Sequence, residues 1–517
     1  MINVFYSVAI MGIDGHIITV ESSSSPTSGQ QTLNIIGLPD AAVKEAASRV
    51  RAAAKQNSLP LKRGAVTVNL APADIRKEGA GFDLPILLSL IDKIDLYRCD
   101  LTKKCFVGEL SLTGELRRIN GALPMAIAAR DAGFKEIYLP EENALEASAA
   151  EGIAVFPCRT VYQILLHLAG KTDIEPIRFD SNSFFSKVGQ YPLDYADVRG
   201  QDAVKKALEI AAAGNHNIML VGPPGSGKSM LASRLPGIMP PMTLSESLES
   251  SKIFSIAGLT EDLTPLLTSR PFRAPHHTLS TAALTGGGTY PKPGEISLAN
   301  NGVLFLDEFP EFDKRAREVL RQPIENRTVT ISRVNGTVTY PADFLLICAM
   351  NPCKCGYYGH PTRACTCGPA ARFAYMQRIS GPILDRIDIQ VSVDPLEFSD
   401  LDGDEKTPST AEMRERVLKA RQFAIDRFSG DTTSYGKPLL CNAAMESKHI
   451  RKYCSCSDSA KRLLEAAFSE MSLSARGYDK ILKIARTIAD FEENETITDA
   501  NMAVAIRMRC IDKDYWQ

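Results

Sequence analysis

The chain has 517 residues, 44% of them apolar and 23% charged, which is enough for about three domains with separate hydrophobic cores. Its 59 Lys and Arg residues are balanced by 61 Asp and Glu residues, so it lacks the overall cationic excess of many nucleic-acid-binding proteins. Apolar runs are shorter than the roughly 18 residues of a membrane span, and the N-terminal residues lack a basic segment, which predicts a cytoplasmic protein with no membrane partner.

Residues 1–170 are predicted to form one mixed α/β domain. Strand-like sequence occurs at residues 66–70 and 137–139, where β-branched and aromatic residues are concentrated. Helix-like sequence occurs at residues 41–54 and 122–132. This alternation indicates a domain with its own sheet and helices.

The following sequence predicts a linker, a parallel-sheet core and a helical lid. Residues 171–195 are polar and interrupted by prolines, which is typical of a linker. Through residues 196–398, strand-like and helix-like segments alternate as in a parallel sheet with crossover helices. The strand-like segments are residues 217–221, 302–306 and 344–350. Residues 399–517 are predicted to be a helical lid, and their helix-like segments are residues 411–428, 457–471, 475–493 and 499–508.

A predicted strand and a predicted helix flank a glycine-rich segment, Gly222-Pro223-Pro224-Gly225-Ser226-Gly227-Lys228-Ser229. In this setting, backbone N–H groups of the loop surround phosphates, the lysine reaches the β- and γ-phosphates, and the serine is a ligand of Mg²⁺. The segment therefore predicts an ATP–Mg²⁺ site. The alternative is a glycine turn that arose by chance.

Two further predicted strands end in residues suited to ATP hydrolysis. The strand before Asp307 and Glu308 is apolar, which places Asp307 to hold the Mg²⁺ shell and Glu308 to polarise the attacking water. The next strand ends at Asn351, whose amide is a candidate for orienting that water. The alternatives are a solvated strand edge for the two acids and a simple turn for Asn351.

Several more motifs occur in one order along the chain. They are Arg273-Ala-Pro-His-His277, Gly286-Gly-Gly, Pro293-Gly-Glu-Ile-Ser-Leu-Ala, Leu304-Phe-Leu-Asp-Glu, Asn351-Pro-Cys-Lys-Cys-Gly, Ser380-Gly-Pro-Ile-Leu-Asp-Arg386-Ile-Asp and Ser474-Ala-Arg476-Gly-Tyr. On these motifs the chain resembles the magnesium-chelatase-like AAA+ ATPases, and most closely their ComM/YifB group, over essentially its whole length. The resemblance implies a homo-oligomeric ring, usually a hexamer, with ATP at each interface.

The resemblance also suggests roles for two arginines. By position, Arg386 matches the finger that one subunit supplies to the γ-phosphate of its neighbour, and Arg476 matches the second sensor. The planar guanidinium suits bidentate contact with phosphate. The alternative for each is a solvated side chain at the start of a helix.

Two excursions from the core are candidates for DNA contact. The 79 positions from Lys228 to Asp307 are long for one crossover, which predicts an insertion around residues 273–300. Residues 328–340 are β-branched on both sides of Asn-Gly, a strong hairpin signal. The resemblance places both in the pore of the ring, where Lys292 and Arg333 are candidates for phosphate contact. Solvated hairpin tips are the alternative.

Of the twelve cysteines, four are clustered as Cys353-Lys-Cys355 and Cys365-Thr-Cys367 across a Gly- and Pro-rich loop. Two close pairs can surround one tetrahedral Zn²⁺, although this spacing is tighter than the common C-x₂-C pair. Four reduced thiols without an ion, or a disulfide, are the alternatives. The Cys454-Ser-Cys456 pair is predicted to be unliganded, and a structural or pore role is favoured over metal binding for His276-His277.

The N-terminal domain resembles the protease domain of Lon. The resemblance is carried by Phe106-Val-Gly-Glu-Leu-Ser-Leu-Thr-Gly-Glu-Leu and Gly133-Phe-Lys-Glu-Ile-Tyr-Leu-Pro. Where that family has its serine this chain has Gly81, and where it has its lysine this chain has Leu123. Neither residue can act as nucleophile or base, which predicts a degenerate domain that serves as a scaffold or DNA-facing platform.

These features predict a multidomain α/β protein that uses ATP and Mg²⁺ as a ring-shaped DNA motor. The resemblance implies branch migration of branched or single-stranded DNA during recombination or natural transformation. One alternative is an ATPase subunit that drives metal insertion into a tetrapyrrole, which the fused Lon-like domain and the Asn-Pro-Cys-x-Cys loop disfavour. The other is an ATP-dependent protease, which Gly81 and Leu123 disfavour.

Overall fold

A computed structural model describes residues 3–25, 32–92, 100–180, 184, 189, 191–260, 264–288, 291–333, 336–395, 407–434, 436–471 and 473–509. The chain divides into two compact units, one made of Met1–Lys187 and Leu244–Thr268 and the other of Val188–Thr243 and Ser269–Gln517. The predicted linker, residues 171–195, falls partly outside the described ranges. Among the described helices, none is both long and apolar enough to cross a membrane.

The first unit is built on a mixed sheet. Its strands are β1 Asn3–Met11, β2 Asp14–Ser25, β3 Thr32–Ile36, β4 Ala65–Ala71, β5 Lys104–Phe106, β6 Glu109–Leu110, β7 Leu116–Arg117, β8 Glu136–Pro140 and β9 Ala154–Cys158. In the described residues, seven of them form one sheet in the order β3-β4-β2-β1-β5-β8-β9, while β6 and β7 pair separately. The strands β5, β8 and β9 run parallel, and their aromatic residues stack, with Tyr138 between Phe106 at 4.9 Å and Phe156 at 4.7 Å.

Helices cover this sheet. They are Ala41–Gln56, Asp83–Leu90, Ala122–Asp131, Glu141–Ser148, Val161–Leu168 and Leu244–Ala257. The first begins after Asp40, whose side chain accepts a hydrogen bond from Val43 N at 2.7 Å, and it buries residues at helical spacing along one face. The helices predicted at residues 41–54 and 122–132 and the strands predicted at residues 66–70 and 137–139 are therefore confirmed, with boundaries within two residues.

The helix Leu244–Ala257 lies in the sequence between the phosphate loop and the acid pair, yet it packs within the first unit. Its buried face is rich in serine. The Ser255 carbonyl accepts a hydrogen bond from Gly121 N at 3.0 Å, and Arg118 donates to the Thr260 carbonyl at 2.8 Å. Part of the extra length between Lys228 and Asp307 is thus this helical segment, in addition to the insertion expected around residues 273–300.

The second unit is built on a parallel sheet. Its strands are β10 Ile218–Val221, β11 Phe272–Arg273, β12 Gly286–Gly287, β13 Lys292–Pro293, β14 Val303–Leu306, β15 Thr328–Arg333, β16 Gly336–Pro341, β17 Leu345–Met350 and β18 Ile389–Ser392. In the described residues, five form the sheet in the order β11-β14-β17-β10-β18, and every neighbouring pair is parallel. The strands β12–β13 and β15–β16 are antiparallel hairpins. The mixed α/β fold with a parallel-sheet core is confirmed.

Helices surround the parallel sheet and continue to the end of the described chain. They are Asp202–Gly214, Lys228–Ser233, Leu235–Ile238, Thr281–Thr285, Glu295–Leu298, Lys314–Val319, Arg321–Asn326, Pro369–Met376, Gly381–Leu384, Thr410–Phe428, Ser447–Tyr453, Asp458–Glu470, Ala475–Phe491 and Asp499–Arg507. The four helices predicted beyond residue 409 are confirmed. Their apolar residues belong to the same hydrophobic core as the sheet, because Met413 and Ile484 cluster with Ile218 and Ile347.

Candidate active site

Three parallel strands end at one edge of the second unit's sheet. The strand β10 leads into Gly222, β14 into Asp307 and β17 into Asn351. The pairing of Val221 with Met350 and of Leu306 with Cys348 brings these strand ends together. The carboxyl edge of a parallel sheet is the usual place for a nucleotide site, so the sequence-predicted residues converge where the chemistry requires them.

The phosphate loop is held in a tight conformation by its glycines. A side chain at Gly222 would lie 2.2 Å from the Val393 carbonyl oxygen, so a larger residue does not fit there. Gly227 has a φ of 86°, in the left-handed region that favours glycine, and it directly precedes the helix Lys228–Ser233. The loop is therefore shaped by backbone requirements that only these residues meet.

Lys228 lies between the phosphate loop and the end of β17. Its Nζ donates to the carbonyl oxygens of Gly222 and Pro223, both at 2.8 Å, and to Asn351 Oδ1 at 3.3 Å. Burial lowers the pKa of Lys228, and the carboxylates of Asp307 and Glu308 act in the opposite direction. The Lys228 ammonium group is thus surrounded by protein oxygens that follow β10 and β17, and these occupy the positions where phosphate oxygens of ATP are expected.

The predicted Mg²⁺ ligands lie in contact. Ser229 Oγ donates to Asp307 Oδ2 at 2.8 Å, although the two residues are far apart in the sequence. The other oxygen, Asp307 Oδ1, accepts a hydrogen bond from Glu308 N at 2.8 Å. A hydroxyl and a carboxylate at this distance are hard oxygen ligands of the type that Mg²⁺ prefers.

Glu308 is paired with a histidine that sequence reasoning assigned to another role. His277 Nδ1 lies 3.1 Å from Glu308 Oε2, and the ring centroids of His276 and His277 are 4.2 Å apart. The contact arises because β11, which precedes His277, is the sheet neighbour of β14, which precedes Glu308. The pairing of Arg273 with Leu304 sets this register, and it is not visible in the linear sequence.

Arg386 lies at the opposite edge of the sheet from the phosphate loop. It precedes β18, and its carbonyl accepts a hydrogen bond at 3.3 Å from Nδ2 of Asn217, the residue before β10. The four residues of β10 separate this edge from Gly222 by about 13 Å. Within one chain, Arg386 and the phosphate loop therefore lie at opposite ends of the strands of the sheet.

The two candidate arginines share one carboxylate. Arg386 Nη2 lies 2.6 Å and Arg476 Nη2 3.8 Å from Glu325 Oε1. The Arg386 side chain is 8% exposed, while that of Arg476 is 64% exposed. Sequence reasoning did not identify Glu325, which lies at the end of the helix Arg321–Asn326, just before β15.

A buried ion pair fixes the helix of Arg476 to this edge of the sheet. Lys480 Nζ lies 2.7 Å from Asp388 Oδ1, and Asn217 N donates to Asp388 Oδ2 at 2.8 Å. Burial lowers the pKa of Lys480 to about 8, although Asp388 opposes that shift. Burial acts to raise the pKa of Asp388, but Lys480 and His216 outweigh it and the pKa lies below its ordinary value.

The two predicted excursions are neighbouring hairpins. The Tyr340 hydroxyl on β16 donates to the Pro291 carbonyl, next to β13, at 2.7 Å. A side chain at Gly287 on β12 would lie 3.3 Å from Arg333 Nη2 at the end of β15. Lys292 and Arg333 are both exposed. Asn335, in the predicted turn, lies outside the described residues.

The four clustered cysteines lie together. Their Sγ atoms are all within 4.8 Å of one another. Three of the separations are 3.3 Å for Cys353–Cys355, 3.7 Å for Cys353–Cys365 and 3.6 Å for Cys355–Cys365. A tetrahedral ion with metal–sulfur bonds of about 2.3 Å requires sulfur–sulfur separations of about 3.8 Å, which matches this cluster, whereas a disulfide is about 2 Å long.

In the first unit, the two positions that correspond to the Lon catalytic pair have no reactive group. Gly81 lies in a short helical turn, and Leu123 is fully buried with its N–H 3.4 Å from Ser255 Oγ. A different serine–lysine contact joins Lys62 Nζ to Ser22 Oγ at 2.7 Å. Ser22 is fully buried and its hydroxyl donates to the Ser89 carbonyl at 2.6 Å.

The parallel sheet with a phosphate loop and an acid pair at its carboxyl edge defines a P-loop ATPase of the AAA+ class. Sequence profiles agree with this class along the chain: "Magnesium chelatase, subunit ChlI" matches residues 194–401, "Subunit ChlI of Mg-chelatase" matches residues 20–143, and the C-terminal part of subunit ChlI matches residues 407–509. The chain belongs to the ComM/YifB family of magnesium-chelatase-like AAA+ ATPases. Membership of this family implies ATP and Mg²⁺ as cofactors.

Two of the relatives match nearly the whole chain, and a third matches part of it. Competence protein ComM of Haemophilus influenzae is 40% identical over 515 residues, which cover 98% of this chain and 97% of the relative. The protein YifB of Salmonella typhimurium is 39% identical over 514 residues, which cover 99% of this chain and 97% of the relative. The DNA replication licensing factor Mcm2 of Drosophila melanogaster is 22% identical over 344 residues, covering 60% of this chain and 34% of that protein.

Proposed function

We propose that the protein is a ring-forming DNA motor that couples ATP hydrolysis at subunit interfaces to the remodelling of branched or single-stranded DNA. The observation that carries this proposal is the position of Arg386 and Arg476. Both approach Glu325 at the amino edge of the sheet, whereas the phosphate loop lies at the carboxyl edge. Since an arginine cannot reach across its own sheet to the γ-phosphate, a second copy of the chain must supply it.

The hydrolytic chemistry follows from the residues at the carboxyl edge. Lys228 holds the β- and γ-phosphates, and Ser229 with Asp307 holds Mg²⁺, which neutralises charge that develops in the transition state. Glu308 polarises the attacking water and Asn351 orients it. The support for these roles is their convergence, because Lys228 donates to Asn351 at 3.3 Å and Ser229 donates to Asp307 at 2.8 Å.

The completion of each site by a neighbour favours a closed ring. Each subunit presents a phosphate loop on one edge and an arginine pair on the other, so the contact between copies is head-to-tail. Head-to-tail contacts close into rings when the rotation between subunits permits. A hexamer is the proposed state, on the family resemblance and on the relation to the Mcm proteins.

The neighbouring hairpins are the proposed DNA-contacting elements. They bring two exposed cations, Lys292 and Arg333, to one part of the second unit. Cations on a protruding hairpin suit contact with phosphates that does not depend on sequence. The likeness to Competence protein ComM and to a DNA replication licensing factor supports a role on DNA. Branch migration during DNA uptake or recombination in the cytoplasm is proposed from the family resemblance.

Two further parts of the chain have proposed structural roles. The cysteine cluster is proposed to bind one Zn²⁺, because its sulfur–sulfur separations fit a tetrahedral site. The first unit is proposed to be a Lon-like scaffold without protease activity, because Gly81 and Leu123 offer no nucleophile or base.

The alternative function, metal insertion into a tetrapyrrole, has support in the names of the matching profiles.

The deciding experiment measures the ATPase rate of the purified full-length chain with forked DNA, a four-way junction, linear duplex and no DNA. A DNA motor is expected to show a severalfold higher rate with forked or four-way DNA and ATP-dependent movement of the junction. The DNA motor would be rejected in favour of metal insertion into a tetrapyrrole if none of the three DNAs changed the ATPase rate and the junction did not move at low salt.

A further inference from the structure

The loop that carries the four cysteines packs directly against the ATP site. It connects the end of β17 at Met350 with the helix Pro369–Met376, and the described residues between them form neither a helix nor a strand. The loop therefore depends on turns and on the cysteine cluster for its shape. Such a loop has few backbone hydrogen bonds to fix it, which makes a bound ion an effective constraint.

Gly356 brings the loop close to the phosphate loop. It lies next to Cys355, and a side chain added to it would lie 2.6 Å from Pro224 Cδ and 3.9 Å from Asn351 Cγ. Its φ of 87° also favours glycine. The loop thus touches the phosphate loop through Pro224 and the predicted water-orienting residue through Asn351.

The same loop approaches the site through the chain itself. Cys353, which is fully buried, follows Asn351 by two residues. Asn351 Oδ1 accepts the hydrogen bond from Lys228 Nζ at 3.3 Å. Movement of the cysteine cluster is therefore coupled to Asn351 through the two residues of backbone that lead to Cys353, and to Pro224 through the packing of Gly356.

We propose that the metal ion held by Cys353, Cys355, Cys365 and Cys367 positions the ATP site, by fixing the loop that packs against Pro224 and Asn351. The inference rests on the proposed ATP and Zn²⁺ sites and is independent of the DNA motor. With the ion bound, the phosphate loop and Asn351 keep the geometry that hydrolysis needs. Without it, the loop loses its constraint, and misplacement by about 1 Å near the reacting groups lowers the rate strongly.

The experiment uses the full chain without DNA and compares Cys365→Ser with Cys454→Ser. The second variant is a matched control, because Cys454-Ser-Cys456 has the same spacing but is not in the cluster. Metal content, ATP affinity and kcat/KM for ATP are measured. Cys365→Ser is expected to lose the ion and roughly 10- to 100-fold in kcat/KM, whereas Cys454→Ser keeps both.

Two further measurements separate coupling from damage to the fold. Wild-type protein is stripped of Zn²⁺ by a chelator, freed of the chelator and assayed in excess Mg²⁺. Its kcat/KM is expected to fall and to recover when Zn²⁺ is added, which a merely unfolded protein would not show. Gly356→Ala is expected to keep the ion and still lose activity, because it pushes the loop from Pro224. A metal-free chain with wild-type kcat/KM, or wild-type protein without a bound ion, would overturn the proposal. If DNA raises the ATPase rate but the rate does not depend on the metal, this inference alone is rejected. If the ATPase rate depends on the metal but DNA does not raise it, the DNA motor alone is rejected.

Discussion

The Nδ1 atom of His277 lies 3.1 Å from Oε2 of Glu308, the proposed general base. His277 belongs to the segment that follows β11, the strand next to β14. His277 follows β11 and leads toward the helix Thr281–Thr285 and the β12–β13 hairpin that carries Lys292. The contact occupies Oε2 of Glu308 with the histidine instead of a water molecule. The contact thus connects Glu308, the proposed general base, to an element proposed to touch DNA.

Replacing His277 with alanine is expected to raise the DNA-independent ATPase rate severalfold, because Glu308 is then free to approach water, and to reduce the additional stimulation by forked DNA. Steady-state rates with and without DNA provide the measurement. His276→Ala is the control, since His276 contacts Thr278 rather than Glu308. A fall in the basal rate would mean that His277 orients the base and does not restrain it.

Glu308→Gln is expected to lower turnover by about 10²- to 10⁴-fold while ATP still binds, because the amide cannot accept a proton from water. Lys228→Ala is expected to lose ATP binding itself, since it removes the ammonium proposed to hold the β- and γ-phosphates. Equilibrium binding of a fluorescent ATP analogue, beside the ATPase rate, separates the two effects. Near wild-type turnover in the glutamine variant would remove Glu308 from its role.

Arg386→Ala subunits are expected to bind ATP but not to hydrolyse it, and mixing them with Lys228→Ala subunits should restore part of the activity. The restored sites pair an intact phosphate loop with an intact arginine from the neighbour, as the opposite-edge placement requires. Arg462→Ala, at an exposed position on the helix Asp458–Glu470, is the control and should leave the rate unchanged. Mixed rings that recover no activity would contradict the contribution of Arg386 to a neighbouring site.

Arg333→Ala is expected to abolish most of the DNA stimulation and to leave basal hydrolysis intact, because Arg333 lies at the end of β15 and is not among the residues proposed to contact ATP. The slope of log binding constant against log salt should become less steep by about 1. Arg451→Ala, an exposed arginine on the helix Ser447–Tyr453, serves as the control. An unchanged salt dependence in the Arg333 variant would exclude it from the phosphate contacts.

Acidification is expected to destabilise the second unit through His216. This histidine is fully buried, with Nε2 2.8 Å from Thr487 Oγ1, and burial lowers its pKa to about 4 even though Asp388 opposes the shift. The charges of Lys483, Lys480 and Arg421 also lower this pKa.

Between pH 6.5 and pH 4 the unfolded chain binds a proton at His216 that the folded chain does not, so stability falls as the pH falls through that window. The loss is about 2 kcal/mol between pH 7 and pH 5. Urea unfolding of wild type and His216→Gln at these two pH values tests this. Equal pH dependence in both proteins would contradict it.

Local sequence was sufficient for the features that depend on consecutive residues. The phosphate loop from Gly222 to Ser229, the acid pair Asp307–Glu308 and Asn351 each follow an apolar strand, and parallel strands bring their carboxyl ends to one edge. The hairpin over residues 328–340 follows from β-branched alternation around Asn-Gly, and β15 and β16 confirm it. The long helices beyond residue 409 follow from periodicity.

Tertiary structure alone decided the contacts that join distant segments. Strand order places His277 beside Glu308, while the packing of segments outside the sheet brings Arg386 and Arg476 to Glu325 and sets Gly356 against Pro224. Tertiary structure also assigns the helix Leu244–Ala257 to the first unit, although in the sequence this helix lies within the predicted ATPase core. Periodicity reports which face of an element is buried but not which partner covers it, because that choice depends on the packing of residues tens to hundreds of positions apart.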